Sequence, residues 1–153
     1  RRIMKFVIKH DIKGRIRVHF INGKMSYRDA DIVQYYFENL GIRNVIAGFK
    51  LQDQGKVLEN IVYNHLLYQG YKVSVGVLEK QEVDFIGERE GEKVYVQVAL
   101  QLNDEATIQR EFGNLLKIED NYPKFVVSQD LFHGNTYEGI QYLGIRDFLM
   151  NVR

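Results

Sequence analysis

The spacing of apolar and polar positions in the central part of the chain predicts one helix followed by three strands. Between Lys56 and Tyr68 the apolar residues recur at helical intervals, and Gly70 is a typical helix stop. The predicted buried stripe consists of Leu58, Ile61, Val62, Leu66 and, at its margin, His65. The predicted strands cover residues 71–77, 82–87 and 93–100, and the turn-like segment 88–92 joins the last two as a hairpin.

The C-terminal part predicts a second helix and further strands. Asn103 or Asp104 can cap a helix over residues 105–116, and Pro123 ends that unit. After it we expect a buried strand at 124–128, a loop at 134–139, a strand at 140–143 and a short helix at 145–150. The order helix, three strands, helix, strand predicts an α/β fold with a mixed sheet flanked by helices.

The N-terminal part is less regular. Residues 3–8 and 15–21 read as strands, and Ser26 is a suitable cap for a helix that begins near Tyr27. Residues 34–40 fit two alternatives. Either the helix continues through them, or residues 35–38 form a short strand that is followed by a helical turn over 42–47.

Composition and charge narrow the function classes. The chain of 153 residues has no cysteine, which excludes disulfides and thiolate chemistry and fits a cytoplasmic protein. It has no apolar run of the roughly 20 residues that a membrane span needs, so we expect no membrane partner. Residues 1–50 hold 11 Lys/Arg against four Asp/Glu, whereas residues 51–153 hold 10 against 16. A basic N-terminal part can meet phosphate, so DNA is an expected partner.

Polar residues on the predicted helix and hairpin are the candidate metal site. Glu59 lies on the helix, Glu82 and Asp84 on one strand, and Gln97 on the next. Asp84 interrupts an otherwise apolar strand, where a carboxylate needs a metal, an arginine or a hydrogen-bonded turn. Glu59 is alternatively a solvated helix residue, Glu82 an exposed strand residue or a second ligand, and Gln97 a weak ligand or a buried hydrogen-bonding amide.

Other charged residues have less specific patterns. Lys124 is a candidate source of a cation for the site, although such lysines more often extend along apolar surface to solvent. Arg110 and Glu111 on the second helix fit phosphate binding or an ion pair with Asp120.

The residues from about 35 to 153 resemble a known domain. The segments YYFENLGIRNVIAGFK, EVDFI, YVQVA and REFGNLLKIEDNYPKFVVSQD are similar to the C-terminal domain of unknown function of prokaryotic AAA-type ATPases. That domain resembles the PD-(D/E)xK, restriction-endonuclease-like fold. The resemblance implies a site of Glu59, Asp84 and Gln97, with Glu59 and Asp84 as ligands of Mg²⁺ or Mn²⁺. Ala99 stands where such nucleases usually carry a lysine, and no GxxxxGK[ST] motif provides an ATP site in this chain.

Residues 3–34 resemble half of a heavy-metal-associated, ferredoxin-like domain. The similarity rests on KFVIKHDIKGRIRVHF and MSYRDADIVQYY, but the metal-binding CxxC is absent. We therefore expect an N-terminal appendage over 1–34, a strand hairpin with a helix, and a nuclease-like domain over 35–153. The latter would be the C-terminal module alone, without its ATPase.

Three functions are compatible with these residues. The first is a nuclease-fold module of an ATPase that is catalytically impaired at Gln97 and Ala99 and acts in binding or regulation. The second is an active divalent-metal-dependent DNA endonuclease that uses Glu59 and Asp84. The third is a protein-interaction or dimerisation module whose N-terminal piece offers a free sheet edge.

Overall fold

The computed structural model describes residues 17–20, 36–48, 50–78, 81–102, 104–129 and 135–151. In these ranges the strands are β1 (Arg17–Phe20), β2 (Lys72–Leu78), β3 (Gln81–Arg89), β4 (Glu92–Ala99), β5 (Lys124–Ser128), β6 (Asn135–Tyr137) and β7 (Ile140–Gly144). The α-helices are α1 (Leu40–Ala47), α2 (Gln54–Tyr68), α3 (Glu105–Leu116) and α4 (Ile145–Asn151), and a 3₁₀ turn at Leu51–Asp53 precedes α2. None of the helices described is long and apolar enough to span a membrane.

The strands form one mixed sheet in the order β1-β2-β3-β4-β5-β7-β6. β2, β3 and β4 are antiparallel neighbours, whereas β4, β5 and β7 run parallel. The parallel step from β4 to β5 needs a crossover, which α3 provides. The predicted α/β class and the mixed sheet are thus confirmed, and so is the hairpin of β3 and β4.

Helices cover both faces of the sheet. On one face the side chains of α2 and α4 pack with Phe85, Val96 and Phe125. On the other face Phe112 and Leu115 of α3 pack with Tyr95 and Val126. The predicted helix stripe is largely confirmed, because the buried residues of α2 include Leu58, Val62 and Leu66, with Asn60 and Tyr63 in addition. Asp104 caps α3 by accepting from the Thr107 N–H at 2.7 Å.

Two tight turns with the same residue pair join antiparallel strands. Glu90 and Gly91 between β3 and β4 both have positive φ, at 50° and 87°. Glu138 and Gly139 between β6 and β7 have φ of 48° and 85°. Two successive positive φ values suit two-residue hairpin loops. The loop predicted over 134–139 was therefore wrong in part, because residues 135–137 pair with β7 as β6.

The segment before α1 follows neither alternative fully. Residues 36–39 are neither helix nor strand, so the helix does not continue through them, while the helical turn expected at 42–47 is present as α1. The Phe37 backbone bonds to side chains of α2 in place of a neighbouring strand, which is why it forms no strand. Of the N-terminal appendage, only β1 falls within the described residues; it lies at the sheet edge, parallel to β2.

Candidate functional site

The candidate site lies where the β3–β4 ladder ends. The paired residues of β3 and β4 run from Arg89 and Glu92 to Phe85 and Val96. Beyond this last pair, side chains make the hydrogen bonds between the two strands. Asp84 Oδ2 accepts from the Val98 N–H at 2.7 Å, and Gln97 Oε1 accepts from the Asp84 N–H at 3.3 Å. The two predicted strand residues are therefore neighbours.

A β-bulge places Asp84 at this point. Ser74 of β2 faces Ile86, but Gly76 faces Val83, so one residue of β2 opposes two of β3, Asp84 and Phe85. Val83 and Ile86, three residues apart, consequently enter the same core on the α3 side, while Phe85 enters the core on the α2 side. Such an insertion redirects side chains and interrupts a ladder, as is common next to functional sites.

The surroundings of Asp84 are acidic. The pKa of Asp84 is raised to about 8, chiefly by burial and in smaller part by the charges of Glu59, Glu111 and Glu82, against the lowering effect of the Val98 N–H bond. A raised pKa in a carboxylate cluster is typical of functional sites, because like charges disfavour ionisation. This carboxyl therefore holds a proton up to an unusually high pH.

Glu59 is brought to the same region by α2. The Tyr36 hydroxyl donates to Glu59 Oε2 at 3.3 Å, and the Tyr36 ring stacks on Tyr63 with centroids 4.6 Å apart. Burial raises the pKa of Glu59, although the Tyr36 bond opposes this. The charges of Glu59 and Asp84 also raise the pKa of Tyr36, behind the larger effect of burial. Glu59 is thus a half-buried, hydrogen-bonded carboxylate and not a fully solvated one.

Asn60 positions Tyr36 next to Glu59. Its Oδ1 accepts from the Phe37 N–H at 2.9 Å, and its Nδ2 donates to the Phe37 carbonyl at 2.8 Å. Asn64 Nδ2 donates to that carbonyl as well, at 2.8 Å. A buried amide with both groups paired in this way fixes the irregular segment on α2. The sequence reasoning did not select Tyr36 or Asn60, although the polar asparagine beside an apolar stripe was a usable signal.

Gln97 and Ala99 are both buried, with 7% and 5% of their surface exposed. The interpretation of Gln97 as a buried hydrogen-bonding amide is confirmed by its bond to the Asp84 N–H. Ala99 faces Ser128 across the parallel ladder.

The other predicted candidates lie apart from Asp84 or make different contacts. Lys124 faces Tyr95, two residues before the partner of Gln97, and pairs with Asp120 at 3.2 Å. The suggested ion pair of Arg110 and Glu111 with Asp120 was wrong, because Arg110 donates to Glu111 Oε1 at 2.7 and 2.9 Å while Asp120 bonds Tyr95 and Lys124.

Glu82 is exposed, which agrees with its interpretation as an exposed strand residue. Its backbone carbonyl accepts from Asn114 Nδ2 of α3 at 3.1 Å.

Two buried polar residues of α3 complete the region. Glu111 and Asn114 are 7% and 8% exposed. Asn114 was not selected from the sequence, and Glu111 was considered only for phosphate or an ion pair. The signal was available, since Glu111 lies inside the apolar stripe formed by Ile108, Phe112 and Leu115.

The fit to a divalent cation is partial. In the described ranges, no three His, Cys, Asp or Glu side chains are grouped so that they could hold a metal ion. However, Glu59, Asp84 and Glu111 carry oxygen atoms of the kind that Mg²⁺ and Mn²⁺ take as ligands, and the buried Asn114 Oδ1 has no hydrogen-bond donor among the described residues.

Comparison with known proteins gives one informative similarity and no family. No family model matches the chain. The chain is 35% identical over 117 residues to an uncharacterized protein of Haemophilus influenzae, an alignment that covers 76% of this chain and 28% of that relative. The chain therefore spans less than a third of the length of the relative that it matches.

Proposed function

We propose that this chain is a restriction-endonuclease-like module of a longer AAA-type ATPase, impaired in cleavage and acting in binding or regulation. The sequence resemblance supports the fold assignment, as does the order of α2, the antiparallel β2–β3–β4 unit, the crossover α3 and the parallel β5. The small share of the Haemophilus relative that the chain matches agrees with a module inside a larger protein.

The observation that carries the proposal is the acidic surroundings of Asp84 in the described part of the chain. Its carboxyl group accepts from the Val98 N–H, and the side-chain charges that raise its pKa are those of Glu59, Glu111 and Glu82. Lys124 was the candidate to replace the lysine that such nucleases usually carry at the position of Ala99. It lies at the start of β5 and forms an ion pair with Asp120. Removing one preorganised stabiliser of transition-state charge typically costs about 10²–10³ in rate, and here both the acid at Gln97 and the lysine at Ala99 are missing.

DNA is the proposed ligand. A divalent cation bound at the site would activate water against a phosphodiester and would also neutralise carboxylates that otherwise repel the backbone. Residues 1–50, with 11 Lys/Arg against four Asp/Glu, provide the complementary charge. Binding should therefore weaken steeply with salt and should strengthen when Mg²⁺ or Mn²⁺ is added.

Plasmid nicking and fluorescence anisotropy with a labelled duplex test the proposal together. We expect anisotropy to report cation-dependent binding, with nicking at or near background in Mg²⁺ and Mn²⁺. Robust cleavage by the unaltered chain that Asp84→Ala abolishes would show that the site is not impaired. Absence of any DNA binding would refute the proposed ligand.

The double substitution Gln97→Glu with Ala99→Lys restores both missing groups. We expect it to raise nicking above that of the unaltered chain, because it places a carboxylate and a cation at the C-terminal end of β4. Gln97→Glu with Ala99→Met is the matched control, since it adds comparable bulk at the buried Ala99 without charge. Equal nicking by both double variants would argue against the assigned roles.

A second candidate is an active divalent-metal-dependent endonuclease. The observation in its favour is that the charges of Glu59 and Glu111 raise the pKa of Asp84, behind the larger effect of burial, and a cation would relieve that repulsion. Strong Mg²⁺-dependent cleavage in the assay above would select this candidate.

A further inference from the structure

The buried face of α3 carries two polar side chains where its neighbours are apolar. Glu111 and Asn114 are one turn apart, so they lie on the same face of the helix, beside Phe112 and Leu115 in the core. Both are more than nine-tenths buried. Buried polar groups of this kind are nearly always paired, so an exception requires an explanation.

Asn114 is that exception. Its Nδ2 donates to the Glu82 carbonyl at 3.1 Å, which fixes α3 against β3 two residues before Asp84. Its Oδ1 is buried and has no hydrogen-bond donor within the part of the chain that the structure describes. A buried acceptor without a donor is destabilising, and it would gain a partner from a ligand that supplies positive charge or an N–H or O–H group.

The charged residues on the two elements that Asn114 joins indicate which ligand fits. Glu111 is on the same helix face, and Asp84 and Glu82 are on the strand to which Asn114 is bonded. Carboxylate and amide oxygens without nitrogen or sulfur ligands favour a hard divalent cation that keeps part of its hydration shell. A neutral ligand would donate a hydrogen bond to Asn114 Oδ1 but would not neutralise the negative charge of the carboxylates.

We propose that Glu111 and Asn114 of α3, together with Asp84 of β3, form the oxygen ligands of a hydrated divalent cation. Helix α3 thereby supplies the carboxylate that β4 lacks at Gln97. This inference rests on the proposed function, because it assigns ligands within the same site.

Gln97 and Arg110 have contacts that fit this assignment. Gln97 Oε1 accepts from the Asp84 N–H and so holds the end of the hairpin. Arg110 donates two hydrogen bonds to Glu111 Oε1, and its own side chain is 68% exposed. Arg110 therefore neutralises Glu111 from the solvent side and competes with a cation for the same carboxylate.

The competition gives two substitutions with opposite expected effects. Glu111→Gln removes the carboxylate but keeps the shape, and it should weaken Mn²⁺ binding at least about tenfold, since even supporting groups of metal ligands change affinity about 10–100-fold. Arg110→Gln removes the competing charge and should strengthen Mn²⁺ binding several-fold. Glu105→Gln is the matched control, because it is the same change on the same helix at an exposed position and should leave the affinity unchanged.

Isothermal titration calorimetry with MnCl₂, supported by the Mn²⁺-dependent rise in melting temperature, measures these affinities on the full chain. Asn114→Asp is a further test that adds charge at the unpaired acceptor and should strengthen binding. Mn²⁺ affinity unchanged by both Glu111→Gln and Asn114→Asp would overturn the ligand assignment, as would a complete lack of Mn²⁺ binding by the unaltered chain at millimolar concentration. Unchanged Mn²⁺ affinity in the variants leaves the impaired-nuclease proposal standing, since that proposal fails on robust cleavage by the unaltered chain, whereas a complete lack of Mn²⁺ binding would also remove its cation-dependent DNA binding.

Discussion

The substitution Asp84→Asn separates the structural use of this side chain from its charge. An asparagine oxygen can still accept from the Val98 N–H, which Asp84 Oδ2 now does at 2.7 Å. The amide has no ionised form, so it experiences no repulsion from Glu59 or Glu111. The variant should therefore keep the ladder end intact while removing the acidic proton.

The pKa of Asp84 gives the size and sign of the effect. A rise from the ordinary 3.8 to about 8 corresponds to about 6 kcal/mol of preference for the neutral acid, at about 1.36 kcal/mol per pKa unit. Because the folded pKa is raised, the native state retains a proton that the unfolded chain releases near pH 4. The free energy of unfolding should fall as pH rises from about 4 to about 8 and then level off.

Urea unfolding between pH 4.5 and pH 9 in EDTA measures this difference. The asparagine variant should match the unaltered chain at the acidic end and should exceed it by several kcal/mol above pH 8. Glu119→Gln, at an exposed carboxylate between α3 and β5, is the control and should not change the pH dependence. If the two curves remain parallel across the whole range, the charge of Asp84 does not limit stability and the electrostatic reasoning is wrong.

Three further substitutions test how α2 holds the segment before α1. Asn60→Ala leaves the Phe37 N–H without its partner and should lower the free energy of unfolding by about 2–3 kcal/mol. Asn64→Ala removes only donated bonds and should lower it less. Equal losses in urea unfolding would contradict the idea that Asn60 holds this segment on α2. Tyr36→Phe removes the hydrogen bond that lowers the pKa of Glu59, so NMR titration of the Glu59 carboxyl group should find a still higher pKa. An unchanged pKa would show that the 3.3 Å contact is not a hydrogen bond in solution.

The regular elements could be predicted because their signals are local. The period of α2, the β3–β4 hairpin and the cap of α3 depend on residues within a few positions of each other. The second hairpin was missed although Glu138 and Gly139 repeat the Glu90–Gly91 pair, since its first strand has only three residues and little apolar pattern. Residues 36–39 were ambiguous for a different reason: a tertiary bond from Asn60 fixes their backbone, and no local pattern contains that information.

The candidate site was predictable in part for the same reason. The predicted hairpin placed Asp84 and Gln97 on adjacent strands, and the two residues are indeed bonded to each other. It did not predict the bulge at Asp84, which depends on pairing with β2, nor the approach of α3. Glu111 and Asn114 reach the region only through the crossover of α3 between β4 and β5, and a pattern restricted to one helix and two strands does not include that crossover.

Gln97 satisfies the end of the β3–β4 hairpin with a neutral side chain. The Gln97 amide accepts from the Asp84 N–H, and Asp84 accepts from the Val98 N–H, so both strand ends are satisfied by side chains. A carboxylate at position 97 would accept the same bond but would add a further negative charge beside Asp84 and raise its pKa above the present value of about 8. Such a site would depend on bound metal for stability. Under the proposed function, Gln97 would remove that dependence at the expense of metal affinity, since functional sites often trade stability against activity. The proposed cation would then take its further carboxylate from helix α3, which is the role proposed for Glu111.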